Sequence, residues 1–194
     1  MFEVIILTLN YAHRGASGYY PENTMLAFEK AVEMGCQGIE TDVQMTSDGV
    51  LVLIHDESLK RTTGVDALVK DYTFDDIRKL NAADYHSSKD SFQQIPTAME
   101  LLEFAKNKDI IINFEIKTGI VFYEGIEEKL INLIYKYGME KKVIISSFNH
   151  YAVAESKRIA PEIKTAILYS EGLYHPEAYC ETVGADGLHP VLFA

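Results

Sequence analysis

Short apolar runs alternate with amphipathic stretches along most of the chain. The runs with the length and β-branched content of strands lie at residues 4–14, 38–45, 50–55, 110–117, 143–148, 164–169 and 186–189. Between them, apolar residues recur near the 3.6-residue period of a helix. The helices predicted in this way span residues 24–34, 73–80, 98–106, 121–137, 149–158 and 175–182. Regular alternation of strands and helices predicts an α/β fold built on a parallel sheet or barrel.

One pair of strands interrupts this alternation. Asp48-Gly49 separates two strand-like runs with no room for a helix, and Asp-Gly is a strong signal for a two-residue hairpin turn. If these two residues alone form the loop, the register places Asp42 opposite His55. Glu40 precedes Asp42 by two residues and projects from the same face of the strand. The predicted β-hairpin at 38–55 therefore brings these three side chains together, and a longer loop would shift the register.

Three acidic residues lie inside apolar runs, where an uncompensated carboxylate is costly. Glu40 and Asp42 point the same way from one strand, and Glu115 lies near the end of the strand at residues 110–117. Like charges that are forced together need a neutralising partner, and a hard divalent cation with oxygen ligands supplies one. Two other interpretations stay open. The acid-x-acid pair also suits a solvated strand face, and Glu115 also suits a surface ion pair with Lys117.

Basic and proton-exchanging residues follow the ends of strands. His13, Arg14 and Gly15 end the first strand, and His55 ends the second strand of the hairpin. Histidine exchanges a proton near neutral pH, arginine presents a planar fork of donors suited to phosphate, and glycine permits a sharp turn beside a ligand. A carboxylate beside His55 would orient its imidazole, whereas without one His55 suits a packed core position. The histidines assigned to packing or loop positions are His86, His150, His175 and His189.

Composition narrows the class of protein further. The net charge of −11 argues against a nucleic-acid partner, because such proteins usually present a basic face. No apolar run approaches the ~20 residues of a membrane span. Cys36 and Cys180 lie far apart without metal-type spacing, so we expect reduced thiols in a cytoplasmic protein. If the ligand is a phosphate ester, this acidic chain needs local positive charge from a bound cation and basic side chains.

A series of short motifs gives the most specific signal. In chain order they are Ala12-His13-Arg14-Gly15-Ala16, Pro21-Glu22-Asn23-Thr24, Gly38-Ile39-Glu40-Thr41-Asp42-Val43-Gln44, Asp48-Gly49, Leu53-Ile54-His55-Asp56, Arg61-Thr62-Thr63-Gly64, Ile95-Pro96-Thr97, Phe114-Glu115-Ile116-Lys117 and Ser147-Phe148-Asn149. Each motif alone carries little information. Their order and spacing resemble the successive motifs of the glycerophosphodiester phosphodiesterases.

The resemblance implies a fold and an activity. It implies a TIM-type (β/α) barrel, related to phosphatidylinositol-specific phospholipases C, with residues 1–194 as a single domain of this family. It also implies metal-dependent hydrolysis of a small-molecule glycerophosphodiester to glycerol 3-phosphate and an alcohol. The cation implied is Mg²⁺ or Ca²⁺, and the sequence does not choose between them.

The resemblance also implies roles for individual residues. Those that match the family's metal ligands are Glu40, Asp42 and Glu115. Those that match its general acid and base are His13 and His55. Those that match its phosphate contacts are Arg14 and Lys117, and Phe148 is expected to border the glycerol pocket.

The sequence departs from the family pattern at its C-terminal end. The resemblance predicts further strands after residues 186–189, one of which carries Trp-Thr-x-Asn, and the sequence contains no tryptophan. We therefore expect a barrel that lacks its C-terminal strand or strands. Two alternatives follow: a non-catalytic metal- or phosphate-binding remnant, or a lyase-type relative that stops at a cyclic phosphate. The head-group preference and the formation of a homo-oligomer also stay open.

Overall fold

Parallel strands connected by helices form the framework of the molecule. The computed structural model describes residues 8–86 and 92–191. The strands are β1 (Tyr11–His13), β2 (Gly38–Met45), β3 (Leu51–Leu53), β4 (Ile111–Ile116), β5 (Val143–Ser147), β6 (Lys164–Tyr169) and β7 (Gly187–Pro190). The helices are α1 (Met25–Glu33), α2 (Lys60–Thr63), α3 (Phe74–Ile77), α4 (Ala98–Ala105), α5 (Ile126–Tyr137), α6 (His150–Ile159) and α7 (Pro176–Val183).

The strands form one sheet in the order β1-β2-β4-β5-β6-β7, and β3 pairs antiparallel with β2. Every other pairing is parallel, with a helical connection between successive parallel strands. Among the described residues no pairing joins β7 to β1, so the curled sheet is an open part of a barrel. The predicted α/β class with a parallel sheet is confirmed.

The two faces of the sheet differ in polarity, and this difference places the site. On β4, Ile112, Phe114 and Ile116 are almost completely buried in the core beneath the helices. Asn113 and Glu115 alternate with them and point to the opposite, inner face, because successive side chains of a strand alternate. Apolar burial against the helices stabilises the fold, and on β4 the inner face carries polar residues.

Several predicted elements are shorter than expected. Residues 4–7 of the first predicted strand lie outside the described residues, and β1 covers only Tyr11–His13. The helix predicted at 121–137 begins at Ile126, because Gly125 takes a left-handed conformation with φ 73° directly before it. The helix α2 was not predicted, because four residues are too few to show a 3.6-residue period.

The predicted register of the hairpin is wrong by one residue. The loop contains three residues instead of two, and Gly49 takes a left-handed φ of 85° as in the three-residue class of hairpin loops. Asp42 consequently lies opposite Ile54, whose backbone N–H donates to the Asp42 carbonyl over 3.0 Å. His55 follows beyond the paired residues of β3, in a segment without strand hydrogen bonding.

Candidate active site

Three carboxylates meet where the carboxyl ends of β2 and β4 lie side by side. The parallel register places Asp42 beside Glu115, and Glu40 projects from the same face of β2. One carboxylate oxygen of each residue lies within 4.8 Å of the others. Asp42 is fully buried and Glu115 is 9% exposed, which contradicts the alternative of a solvated strand face. The structure therefore brings together the three acidic residues that the sequence singled out.

The cluster is electrostatically unfavourable on its own. Burial, followed by the neighbouring charges of Asp42 and Glu115, raises the pKa of Glu40 to about 8. Burial, followed by the charge of Asp42, also raises the pKa of Glu115. The Oδ1 atom of Asp42 is buried and has no hydrogen-bond partner. Closely spaced hard oxygen donors with an unsatisfied buried oxygen fit a divalent cation such as Mg²⁺ or Ca²⁺.

Two basic side chains partly compensate these charges. The Nε atom of Arg14 lies 3.5 Å from Asp42 Oδ2. The Nζ atom of Lys117 lies 2.8 Å from Glu115 Oε1 and 3.7 Å from Asp42 Oδ1. The predicted Glu115–Lys117 pair thus exists, but it lies inside the cluster and not on the surface. Both cations border the carboxylates and are placed to contact an anionic ligand there.

A sharp turn after β1 orients Arg14. Arg14 and Gly15 both take left-handed conformations, with φ of 57° and 78°. A Cβ atom on Gly15 would lie 2.8 Å from the backbone of Ala27, so a larger residue does not fit. The turn directs the backbone N–H of Arg14 at Glu40 Oε2 over 3.1 Å. The glycine is therefore required for the approach of this loop to the cluster.

The two predicted catalytic histidines flank the carboxylates. The Nε2 atom of His13 lies 3.7 Å from Glu40 Oε2. The charge of His55 contributes to the pKa shifts of both His13 and Glu115, so the His55 imidazole also lies near the carboxylates. Overall the pKa of His13 is lowered, first by partial desolvation and then by Arg14.

The carboxylate that orients His55 is Asp56, and not Asp42 as the hairpin register predicted. The Nδ1 atom of His55 lies 2.6 Å from Asp56 Oδ1. Arg61 donates to the same carboxylate from Nε over 2.6 Å. Burial alone would raise the pKa of Asp56, but the hydrogen bonds from Arg61 and His55 outweigh it and lower the pKa to about 2. Asp56 is therefore ionised at neutral pH and holds the Nδ1 side of the imidazole.

Glu22 connects this pair to Arg14. Its carboxylate accepts hydrogen bonds from Arg61 over 2.7 and 2.8 Å and from Arg14 Nη1 over 3.1 Å. Glu22 is therefore the shared partner of both arginines. Sequence reasoning did not assign a role to Arg61, although its motif was among those that carry the resemblance.

Asn23 contacts Asp42 directly. Its Nδ2 atom donates to Asp42 Oδ2 over 2.9 Å, and its Oδ1 atom accepts from the Thr41 hydroxyl over 2.7 Å. The N-cap of α1 is the next residue, Thr24, since its hydroxyl accepts from the Ala27 N–H. Asn23 thus fixes the orientation of the Asp42 carboxylate.

Phe148 follows the last residue of β5, at the carboxyl edge of the sheet. Its side chain is 46% exposed. The expected place of Phe148 beside a glycerol pocket stays a prediction.

The raised pKa of Glu40 leads to an expected pH dependence of stability. Between the ordinary value of 4.5 and about 8, the folded state retains a proton on Glu40 that the unfolded state has released. Stability falls with rising pH wherever the folded state binds more protons. In EDTA, the free energy of unfolding of the wild type should therefore decrease from about pH 5 to pH 8 relative to that of Glu40→Gln.

Urea unfolding of both proteins across this pH range measures the effect. Glu40→Gln is the matched control because its side chain is neutral at every pH. Two curves that run parallel, with no loss of wild-type stability relative to the variant, would contradict the raised pKa.

Comparison with known proteins identifies the family of the chain. The model of the glycerophosphoryl diester phosphodiesterase family matches residues 13–194. The chain belongs to this family. A glycerophosphodiester phosphodiesterase of Caldanaerobacter subterraneus subsp. tengcongensis is 49% identical over 186 residues, which cover 96% of this chain and 76% of the relative. The protein is accordingly an enzyme of the class that hydrolyses glycerophosphodiesters.

Solved structures of the family share the fold. A phosphodiesterase from Oleispira antarctica in complex with the product sn-glycerol-3-phosphate matches with a TM-score of 0.82 and 29% identity, covering 95% of this chain and 75% of that one. A glycerophosphodiester phosphodiesterase from Thermotoga maritima matches with a TM-score of 0.73 and 30% identity, covering 95% and 74%. The predicted TIM-type arrangement is confirmed. No helix among the described residues is long and apolar enough to cross a membrane.

Proposed function

We propose that this site cleaves glycerophosphodiesters to glycerol 3-phosphate and an alcohol by acid–base catalysis, with His13 and His55 acting beside a divalent cation. The ligands of the cation are Glu40, Asp42 and Glu115, and the cation is Mg²⁺ or Ca²⁺. The observation that carries the proposal is the cluster of these carboxylates within 4.8 Å, with Asp42 Oδ1 unsatisfied and both imidazoles beside it.

The charge balance supports a cation. To bind a cation the three carboxyls must be ionised, and they then outnumber the two cationic side chains of Arg14 and Lys117, so an anionic phosphodiester would meet net negative charge if no cation were bound. When bound, a divalent cation neutralises this charge and stabilises the charge that develops on the phosphate oxygens during cleavage. The acidic balance of the whole chain makes such local compensation necessary.

Arg14 and Lys117 bind the phosphate in this scheme. Each already lies beside the carboxylates, so each can keep one ion pair while it donates to a phosphate oxygen. The guanidinium of Arg14 is held from the other side by Glu22, which limits its rotation. A planar guanidinium held in this way positions the phosphodiester and selects for its oxygens.

The histidines move the protons. One imidazole takes the proton of the attacking hydroxyl, which is the glycerol 2-hydroxyl of the substrate, and the phosphorus–oxygen bond to the alcohol breaks. The other imidazole donates a proton to the departing alkoxide. Water then opens the cyclic phosphate to glycerol 3-phosphate. Asp56 accepts from His55 Nδ1–H, so Nε2 is the nitrogen of His55 left for proton exchange.

Phosphorus NMR of a reaction with glycerophosphocholine and added Mg²⁺ or Ca²⁺ tests the proposal. The expected result is a glycerol 3-phosphate signal that grows as the substrate signal decays, and that EDTA abolishes. Accumulation of the cyclic phosphate alone would instead indicate a lyase-type relative. An unchanged substrate signal with either cation would indicate a non-catalytic metal- or phosphate-binding domain.

We also propose that residues 1–194 belong to one domain with a small-molecule substrate, and that the protein acts in the cytoplasm. The product complex of the Oleispira antarctica enzyme supports a small glycerophosphodiester as the substrate. The free thiols of Cys36 and Cys180 support a reducing compartment. Fractionation of cells that produce the protein tests the location, and recovery outside the cytoplasmic fraction would contradict it.

A further inference from the structure

A glutamine of β2 holds the segment that carries His55. The side chain of Gln44 is fully buried. Its Nε2 atom lies 3.1, 3.0 and 2.7 Å from the carbonyl oxygens of Ile54, His55 and Asp56. Its Oε1 atom accepts a hydrogen bond of 2.9 Å from the hydroxyl of Tyr123. One amide thus contacts three successive backbone carbonyls, and a second side chain fixes the orientation of that amide.

These contacts lie directly after the end of β3. The last backbone hydrogen bond of this segment to β2 is that of the Ile54 N–H to the Asp42 carbonyl, so no strand bond defines the path of the backbone at His55 and Asp56. A buried carbonyl without a partner is costly, and the Gln44 amide supplies the missing donors. Gln44 also follows Asp42 by two residues on the same strand. The strand that carries the central carboxylate therefore also determines where His55 lies.

The hydroxyl of Tyr123 makes the position of the amide specific. Tyr123 is 5% exposed and lies in the connection between β4 and α5, after Lys117. Since the hydroxyl donates to Oε1, the amide cannot rotate by 180° without losing this bond and turning Oε1 toward three carbonyls. Tyr123 and Gln44 together link the loop after β4 to the segment after β3.

We propose that Gln44, supported by Tyr123, is a positioning residue that sets the distance between the His55 imidazole and the carboxylate cluster. This inference deepens the proposed function and rests on it, because it takes His55 to be a catalytic acid or base. Misplacement of a catalytic group by about 1 Å can cost on the order of 10²-fold in rate. The effect of Gln44 should therefore appear in kcat and in the environment of His55, while the carboxylates keep their affinity for a cation.

Three variants separate this role from a purely structural one. Gln44→Met keeps the length of the side chain and removes the donors. Tyr123→Phe removes only the hydroxyl, and it tests the same role if Gln44→Met does not fold. Gln94→Met is the matched control, because the Gln94 amide also donates to a backbone carbonyl, that of Arg78, but belongs to an exposed residue outside the site.

Each variant is measured by kinetics with glycerophosphocholine, by calorimetric titration with Mg²⁺, and by nitrogen-15 NMR of the histidine imidazoles assigned with His55→Ala. For Gln44→Met we expect kcat to fall about 10²-fold with KM and Mg²⁺ affinity nearly unchanged, and the His55 signals to move while those of His13 do not. For Tyr123→Phe we expect changes in the same direction, with kcat lowered about two- to tenfold, which corresponds to the loss of about one hydrogen bond. Gln94→Met should match the wild type.

The outcomes are distinguishable from a failure of the proposed function. Unchanged His55 signals in folded Gln44→Met or Tyr123→Phe overturn the positioning role, as does a loss of Mg²⁺ affinity that parallels the loss of kcat. A fall in thermal stability with kcat and the His55 signals unchanged likewise overturns it. If the wild type itself shows no turnover, the proposed function fails, and the imidazole spectra still decide the role of Gln44.

Discussion

Replacing His13 or His55 by alanine is expected to lower kcat for glycerophosphocholine by at least about 10²-fold, because a positioned acid or base contributes about 10²- to 10⁴-fold. His13 ends β1 and His55 follows β3, so the two imidazoles approach the carboxylates from different segments of the chain. Neither side chain belongs to the apolar core: the side chain of His13 is 69% exposed and that of His55 is 31% exposed. Truncation should therefore remove activity and leave the fold intact.

Steady-state kinetics with circular dichroism and thermal unfolding of each variant test this expectation. His175→Ala is the matched control, because His175 pairs with Glu177 on the surface and its side chain is 60% exposed. The control should keep wild-type kcat. Turnover close to wild type in both His13→Ala and His55→Ala would contradict the assignment of acid–base catalysis to these residues.

Asp42→Asn is expected to weaken binding of Mg²⁺ or Ca²⁺ on the order of 10²-fold or more and to abolish most activity. Mutation of a residue that only orients a metal ligand typically weakens metal affinity by about 10- to 100-fold. Mutation of a ligand itself should weaken the affinity by at least about as much. The variant keeps the size of a fully buried side chain but replaces one carboxylate oxygen by an NH₂ donor. It also removes the charge that Arg14 and Lys117 contact.

Calorimetric titration with each cation measures this loss directly. Thermal unfolding gives a second readout, because a cation at about 100 times its Kd should stabilise the wild type by about 2.7 kcal/mol and the variant by much less. Asp109→Asn is the control, since Asp109 is fully exposed at the end of a loop. Unchanged cation affinity in Asp42→Asn would contradict the metal-binding role of the cluster.

The sequence predicted the strands well because the barrel strands bury one face in a continuous apolar core. Alternation within such strands also predicted that Glu40 and Asp42 share one face. The pairing of Asp42 with Glu115 could not be predicted in this way, because the parallel register between strands separated by 73 positions depends on tertiary packing. The position of Glu115 near the end of a predicted parallel strand indicated that it lies near the other two carboxylates, and the family resemblance then assigned all three as metal ligands.

The parts that sequence reasoning missed are held by contacts between distant loops. Asp-Gly is compatible with both two- and three-residue hairpin loops. The assumption of a two-residue loop placed Asp42 opposite His55, whereas the three-residue loop places it opposite Ile54. Arg61 donates a hydrogen bond to Glu22, which lies 39 residues earlier in the chain, and Tyr123 donates one to Gln44, which lies 79 residues earlier. Loops of this kind have no periodic pattern, so the sequence gives no signal for which side chains meet.

In this proposal the carboxylates of Glu40, Asp42 and Glu115 hold a divalent cation at which the phosphodiester is bound. Anomalous diffraction from crystals grown with glycerol 3-phosphate and Mn²⁺, a cation that prefers the same oxygen ligands as Mg²⁺, locates such a cation. We predict one strong anomalous peak at about 2.0–2.6 Å from an oxygen of each carboxylate, with the phosphate beside Arg14 and Lys117. A peak elsewhere, or phosphate bound with no metal among the three carboxylates, would contradict the claim.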